Sequence, residues 1–175
     1  MYSEAVTFNG GEGEPVSGRL EHPVGRFVGW ALFAHCFTCS KQSRAAVAVS
    51  RGLAERGVGV LRFDFTGIGE SGGDFAETSF TTNVSDIRAA ATWMAEQGRP
   101  VSLLVGHSLS GSAALVSAGA VEGLKAVATI GAPAETGHAI RQFDGHVDTI
   151  ETKGQAEVVL GGRTFTVRRQ MLEDL

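Results

Sequence analysis

The sequence predicts an α/β fold in which a mostly parallel, doubly wound sheet is flanked by an N-terminal hairpin and a C-terminal β-hairpin. Short apolar runs alternate with helical periodicity along most of the 175 residues, an order that specifies parallel strands joined by helices. The 24 glycines are scattered among the apolar runs, which favours many tight turns over a linker. The length suits one core, so we expect a single domain over 1–175, with 133–175 forming an irregular segment, a hairpin and a short helix.

Composition narrows the function classes. Hydrophobic residues make up 43% and charged residues 19% of the chain, the net charge is −4, and Lys and Arg form no block, which argues against nucleic acid and anionic membrane surfaces as partners. No apolar run is long enough to span a bilayer, and Met1–Glu4 has no leader features. We therefore expect a cytoplasmic protein that needs no cofactor and no metal.

The elements before the tail follow from apolar patterns. Ala5–Phe8 and Val16–Glu21 flank a glycine-rich turn and predict the first hairpin. Helical spacing of apolar residues predicts helices over Ser43–Arg56 and Thr82–Gln97. Short apolar runs predict the strands of the parallel sheet, at Phe27–Ala34, Val58–Phe63, Val101–Val105 and Leu124–Ile130.

The tail has a different pattern. Ala134–Thr152 is polar and is predicted to be irregular, with a short helix near His138. Glu157–Leu160 and Thr164–Val167 flank Gly161-Gly162-Arg163, a strong hairpin signal. Arg169–Leu175 resembles the first turns of a helix.

Ser108 stands where the strand beginning at Val101 gives way to a helix of small residues. This is the arrangement of a nucleophile elbow, in which a tight turn exposes the hydroxyl and the helix directs free N–H groups at developing charge. The usual G-x-S-x-G pattern is met by Gly106 and Ser108, but Ser110 occupies the last glycine position. Gly106 would allow close approach of strand and helix. The alternative is that Ser108 is an ordinary helix N-cap.

Several candidate residues follow strands of the predicted sheet. His35, Asp64, Ser108 and Gly131 each come directly after an apolar run. Sites in such folds lie at the carboxyl ends of the strands. We therefore expect these residues to converge at one edge of the sheet.

Four stretches together resemble the α/β-hydrolase superfamily, and in particular the hydrolase half of bacterial proteins that pair an α/β-hydrolase with an OsmC-like domain. Four motifs in the right order are far more specific than the turn at Ser108 alone. The stretches are Phe33–Lys41, Leu61–Ser71, Gly106–Gly111 and Ala128–Pro133.

The resemblance implies roles for individual residues. Ser108 would be the nucleophile, and the backbone N–H groups of Leu109 and Phe37 would form the oxyanion hole. His35 would order its loop rather than act as the base. Asp64–Ser71 would be the family's glycine-rich loop near the active site. The implied reaction is hydrolysis of small acyl esters through an acyl-enzyme.

One departure from the family concerns the acid and the base. In that superfamily they follow the serine, on loops after two further strands, and the sequence ends at Leu175 before such strands. We therefore expect either a piece of a longer protein or a reduced relative that completes its site otherwise. Downstream, His138 and His146 are candidate bases, Asp144 is a candidate acid with Asp148 beside it, and the alternative is that they are surface residues.

Two rival functions remain open. Cys36 and Cys39 have the spacing of a thiol-redox pair or part of a zinc site. The missing acid and base also allow a catalytically incomplete hydrolase or an interaction module. If Leu124–Ile130 is the last strand of the sheet, its unpaired edge is a template for association, so we expect a homodimer or another partner there.

Overall fold

The computed structural model describes residues 2–175; Met1, part of the stretch in which no leader is predicted, lies outside the described residues. The main sheet contains β1 (Ser3–Asn9), β2 (Pro15–Glu21), β3 (Gly29–Ala34), β4 (Val58–Phe63), β5 (Val101–His107) and β6 (Ala126–Ile130). Their spatial order is β1-β2-β4-β3-β5-β6. The strands from β3 to β6 pair in parallel, whereas β1 and β2 pair antiparallel. The predicted mostly parallel sheet is therefore confirmed.

Helices cover both faces of this sheet. On one face lies α1 (Arg44–Ala54), and on the other lie α2 (Phe80–Glu96) and α3 (Leu109–Ser117). Successive side chains of a strand point to opposite faces. Accordingly, Phe33 belongs to the core under α1, and its neighbour Leu32 belongs to the core under α2 and α3. This two-sided burial explains why the central strands are apolar without alternation.

Two predicted strands and one helix have different bounds in the structure. Phe27 and Val28 precede β3 and are exposed, because the Val28 N–H donates to the Gly57 carbonyl in a loop. Leu124 lies in a turn, where its N–H donates to Val121, so β6 begins at Ala126. The helix α2 begins at Phe80 rather than Thr82, because Ser79 and Thr82 form a capping box.

The short helix predicted near His138 is confirmed as a 3₁₀ helix over Thr136–Phe143, but the irregular structure predicted for the rest of Ala134–Thr152 is wrong where α4 spans Val147–Lys153. The physical reason is that Ala139, Phe143 and Ile150 are buried against the core, an anchoring that polar composition conceals.

The remaining tail matches its prediction. β7 (Gln155–Leu160) and β8 (Arg163–Arg168) form the second, two-stranded sheet, and α5 (Arg169–Glu173) follows. Gly161 and Gly162 both have positive φ, which a two-residue hairpin turn requires. Within residues 2–175, every helix falls short of the length and apolarity needed to cross a bilayer.

Candidate active site

The turn between β5 and α3 holds Ser108 in an unusual backbone conformation. Its φ is 58° and its ψ is −133°, and positive φ is uncommon for residues other than glycine. Hydrogen bonds fix the turn on both sides: the Ser108 N–H donates to the Ile130 carbonyl at 2.8 Å, and the Ser108 carbonyl accepts from Gly111 at 2.8 Å. The strained residue is thus tied to both β6 and α3.

Gly106 makes this turn possible. A Cβ on Gly106 would lie 2.4 Å from the Ser110 carbonyl oxygen and 2.5 Å from the Gly111 Cα. Backbone atoms cannot yield as a flexible side chain can, so only glycine allows the helix to pass this close to the strand. The predicted close approach is confirmed.

The Ser108 hydroxyl has no hydrogen-bond partner in the part of the chain that the structure describes. Because its side chain caps no N–H of α3, the interpretation of Ser108 as an ordinary N-cap is wrong. Ser108 is half-buried and lines two cavities, of about 540 and about 430 Å³. Its hydroxyl is therefore accessible to a small molecule.

Two backbone amides near this turn are also unpartnered. Among residues 2–175, neither the Phe37 N–H nor the Leu109 N–H donates a hydrogen bond. Phe37 lines the larger cavity together with Ser108, and Leu109 lines the smaller one with it. Leu109 is the first residue of α3, and the first N–H groups of a helix are free to bind a ligand. The Phe37 amide belongs to the turn after β3 and is likewise without a partner in the described part of the chain.

Phe37 sits inside a closed turn. Cys36 and Cys39 form a disulfide with their Cα atoms 5.2 Å apart, and the Cys39 N–H donates to the Cys36 carbonyl at 2.9 Å. Thr38 within the turn has a φ of 61°. The disulfide thus constrains the loop that carries the Phe37 amide, and as disulfide sulfurs the two cysteines are not thiolate ligands for zinc. Residues 2–175 hold no cluster of three or more potential metal-ligating His, Cys, Asp or Glu side chains.

His35 is a buried neighbour of this loop. Its Nδ1 lies 2.9 Å from the Cys36 carbonyl oxygen, and its ring packs edge-on against Phe65. Burial lowers the pKa of His35 to about 4, so the imidazole is neutral at pH 7 and its Nδ1 donates to the carbonyl. This contact supports the loop-ordering role that the family resemblance implies.

Asp64 begins the glycine-rich loop after β4 and is almost fully buried. Its carboxylate accepts from the Lys41 N–H at 2.6 Å, from the Lys41 Nζ at 2.5 Å and from the Glu70 N–H at 3.0 Å. The Lys41 Nζ also pairs with the exposed Glu70 carboxylate at 2.6 Å. These contacts join the loop after β3 to the loop after β4, so Asp64 shapes the edge of the sheet where Ser108 lies.

The structure separates the predicted acid and base candidates. His138 is exposed and lines the smaller cavity with Ser108. Neither His146 nor Asp144 lines either cavity. Within the described residues, no hydrogen bond joins Ser108 to a histidine and no ion pair joins His146 to Asp144. His138 is thus the candidate base nearest to the site.

Sequence reasoning missed several residues that line the cavities. Arg163 and Gln142 line the larger cavity and Arg141 the smaller one, although all three come from the tail. Their sequence context shows only a hairpin turn and a polar segment, which carry no catalytic signal. His107 also lines the larger cavity, and its buried Nδ1 has no partner among residues 2–175.

Comparison with known proteins shows the family to which the chain belongs. The family model described as "Alpha/beta hydrolase family" matches residues 31–174. Among the curated proteins, none matches this chain. The pairing with an OsmC-like domain stays a prediction.

Solved structures agree with the family model. The esterase domain of a Rhodothermus marinus protein is 43% identical with a TM-score of 0.71, and the alignment covers 100% of this chain and 68% of that one. XC6422 from Xanthomonas campestris, an α/β serine hydrolase without a lid, is 27% identical with a TM-score of 0.67, covering 77% of this chain and 63% of that one. Est1E from Butyrivibrio proteoclasticus, solved with ferulic acid, is 19% identical with a TM-score of 0.76, and the alignment covers 96% of this chain and 69% of that one. At that identity the last likeness concerns the fold alone.

Proposed function

Because the chain belongs to the alpha/beta hydrolase family, we propose that it hydrolyses small acyl esters through an acyl-enzyme formed on Ser108. One observation carries the proposal: the Ser108 hydroxyl stands unpartnered on a strained turn between two cavities. The buried Ser50 and Ser110 hydroxyls also have no partner among residues 2–175, but neither lines a cavity with a strained backbone as Ser108 does. The esterase named among the similar structures supports the substrate class.

The proposed course follows from the groups around the turn. The Ser108 oxygen attacks the ester carbonyl as a base removes its proton, and the carbonyl oxygen gains negative charge opposite the Phe37 and Leu109 amides. Collapse of this intermediate releases the alcohol, which receives the proton, and leaves an acyl ester on Ser108. Water then cleaves that ester and releases the acid. Of the two histidines that follow the serine as predicted candidates, His138 is our choice for the base, because it shares a cavity with Ser108 and His146 does not.

Fluorophosphonate labelling of the purified chain tests this proposal. We expect a labelled peptide containing Ser108, turnover of 4-nitrophenyl acetate, and loss of both in Ser108→Ala. Ser40→Ala is the matched control, because Ser40 lines the same cavity as Ser108 yet carries no proposed role. Labelling that persists in Ser108→Ala, or its absence from the wild type, contradicts the proposal.

The base has its own test. Removing a general base slows catalysis by a factor of about 10²–10⁴, so we expect His138→Gln to slow labelling of Ser108 by at least tenfold. His146→Gln is the matched comparison, because His146 lines neither cavity. Equal labelling rates in the two variants would reject His138 as the base.

An interaction module is the second candidate function, and the exposed strand β6 favours it. β6 pairs only with β5 among the described residues, and its Ile130 side chain is exposed beside the turn. An unpaired strand edge is a template for pairing with another chain. We expect a second copy of this chain to pair with the free edge of β6, which lies in the strand predicted over Leu124–Ile130. Sedimentation velocity should then show a dimer. A stable monomer would count against it.

A further inference from the structure

The charged residues that line the two cavities are positive, whereas the chain as a whole has a net charge of −4. Arg163 lines the larger cavity and Arg141 the smaller one, and the other titratable residues lining them are His107 and His138. No Asp or Glu lines either cavity in the part of the chain described, although the whole chain has 19 Asp and Glu against 15 Lys and Arg. Each cavity that Ser108 lines therefore contains one arginine and, among the described residues, no carboxylate.

Neither arginine is neutralised by the protein. Within residues 2–175, neither Arg163 nor Arg141 forms an ion pair. A guanidinium without a carboxylate partner, at the rim of a cavity, is suited to bind an anion from solution.

Arg163 is also held in place. Its Nη2 donates to the Thr38 carbonyl and, at 3.5 Å, to the Cys39 carbonyl. Its guanidinium carbon lies 5.2 Å from the centre of the Phe165 ring. These contacts orient the guanidinium without cancelling its charge. Its Nη1 and Nε have no partner among the described residues, so they are free to donate.

The charge of Arg163 acts on His35, the buried residue that precedes the Cys36–Cys39 turn. Burial is the main cause that lowers the pKa of His35, and the charge of Arg163 contributes in the same direction. Arg163 and the Phe37 turn line the same cavity as Ser108, so the arginine is placed to act on a ligand in that cavity.

We propose that the substrate of this site is an ester that carries a carboxylate, and that Arg163 binds this carboxylate. The inference rests on the proposed ester hydrolysis at Ser108. The guanidinium donates to the carboxylate through Nη1 and Nε, which positions the ester carbonyl toward Ser108. Arg141 supplies a second positive charge in the smaller cavity.

Two pairs of esters test the proposal on the two sides of the scissile bond. On the acyl side, 4-nitrophenyl hydrogen adipate is compared with its neutral methyl ester. On the alcohol side, 4-acetoxybenzoate is compared with methyl 4-acetoxybenzoate. We expect kcat/KM to be at least tenfold higher for the anion in one of the pairs, and this preference to shrink as salt screens the charges.

Variants then assign the preference to Arg163. We expect Arg163→Gln to reduce the anion-to-neutral ratio of kcat/KM by about tenfold, since a hydrogen bond to a charged group is lost. Arg163→Lys should retain part of the preference, because it keeps the charge without the fork of donors. Arg168→Gln, in the same hairpin but outside both cavities, should leave the ratio unchanged.

A binding measurement separates this proposal from the hydrolysis proposal. Titration calorimetry on Ser108→Ala compares monomethyl adipate with dimethyl adipate, and 4-acetoxybenzoate with its methyl ester; in at least one pair we expect binding of the anion that Arg163→Gln removes. If wild-type protein shows neither labelling nor turnover but this binding persists, the hydrolysis proposal fails and the carboxylate site stands. An unchanged ratio in Arg163→Gln, or equal binding of anion and neutral ester in both pairs, overturns the carboxylate site.

Discussion

Two loops lie at the same edge of the sheet, but the polar side chains that they carry differ in hydrogen bonding. In the loop after β4, the Asp64 carboxylate accepts three hydrogen bonds and Lys41 neutralises it. In the turn after β5, the Ser108 hydroxyl has no partner among residues 2–175. Asp64 is almost fully buried, whereas Ser108 lines two cavities.

This difference separates structural from reactive groups. A buried charge must be paired, because leaving it alone costs several kcal/mol, so the contacts of Asp64 are those of a group that holds the fold together. A hydroxyl left free at a cavity contributes no such stabilisation. We therefore expect changes after β4 to act on stability, and changes at Ser108 to act on chemistry.

The largest effect on stability is expected for Asp64→Asn. The substitution leaves the almost fully buried Lys41 ammonium with only the exposed Glu70 as its counter-charge. Breaking a buried pair on one side costs about 3–5 kcal/mol, which we expect as the loss in the free energy of unfolding measured with urea. Glu122→Gln is the control, because Glu122 is exposed. A loss below about 1 kcal/mol would contradict a structural role for Asp64.

The next effect is a pH dependence caused by His35. Its pKa is about 4 in the folded chain against an ordinary 6.5, so between these values the unfolded chain binds more protons. Stability from this group is fully present above pH 6.5 and is lost as pH falls toward 4, by about 3 kcal/mol.

The measurement compares urea unfolding of the wild type and His35→Gln at several pH values. The difference between the two curves isolates His35 from Asp64, Lys41 and Arg163, which also act on it. Curves that run parallel between pH 4 and 6.5 would show that His35 is not buried as a neutral ring.

A smaller effect is expected for Gly106→Ala, which tests whether the turn depends on close packing. The added Cβ would collide with the backbone of Ser110 and Gly111, and such overpacking costs about 1–3 kcal/mol. Because the collision displaces Ser108, labelling should slow as well. Gly119→Ala is the control, since a Cβ there meets open space. Equal stability and labelling in the two variants would refute the packing argument.

The smallest effect on stability is expected for Ser108→Ala. With no hydrogen bond to lose, the free energy of unfolding should change by no more than about 0.5 kcal/mol, while labelling disappears. Ser108→Gly should be more stable than Ser108→Ala, because glycine adopts positive φ without strain. A large loss of stability in Ser108→Ala would place the serine with Asp64 among the structural groups, and the contrast would fail.

Much of the fold could be predicted because local patterns agree with it. The continuous apolar runs of β3 to β5 and the helical spacing of apolar residues in α1 and α2 can be read from neighbouring residues alone. The segment Ala134–Thr152 was predicted in this way only in part, as a short helix near His138. Its two helices are stabilised by burying Phe143 and Ile150 against distant parts of the chain, and a polar segment with few apolar residues gives no periodic signal for such contacts.

The order of residues by itself determined the wound sheet, the turn at Ser108 and the need for glycine at Gly106, because each follows from short-range sterics and from local apolar runs and helical spacing. Only the tertiary structure decided which side chains meet at that turn. It brought Arg163 and His138 to the cavities beside Ser108 and left His146 and Asp144 outside them, because residues distant in sequence are brought together by packing, which no local pattern encodes.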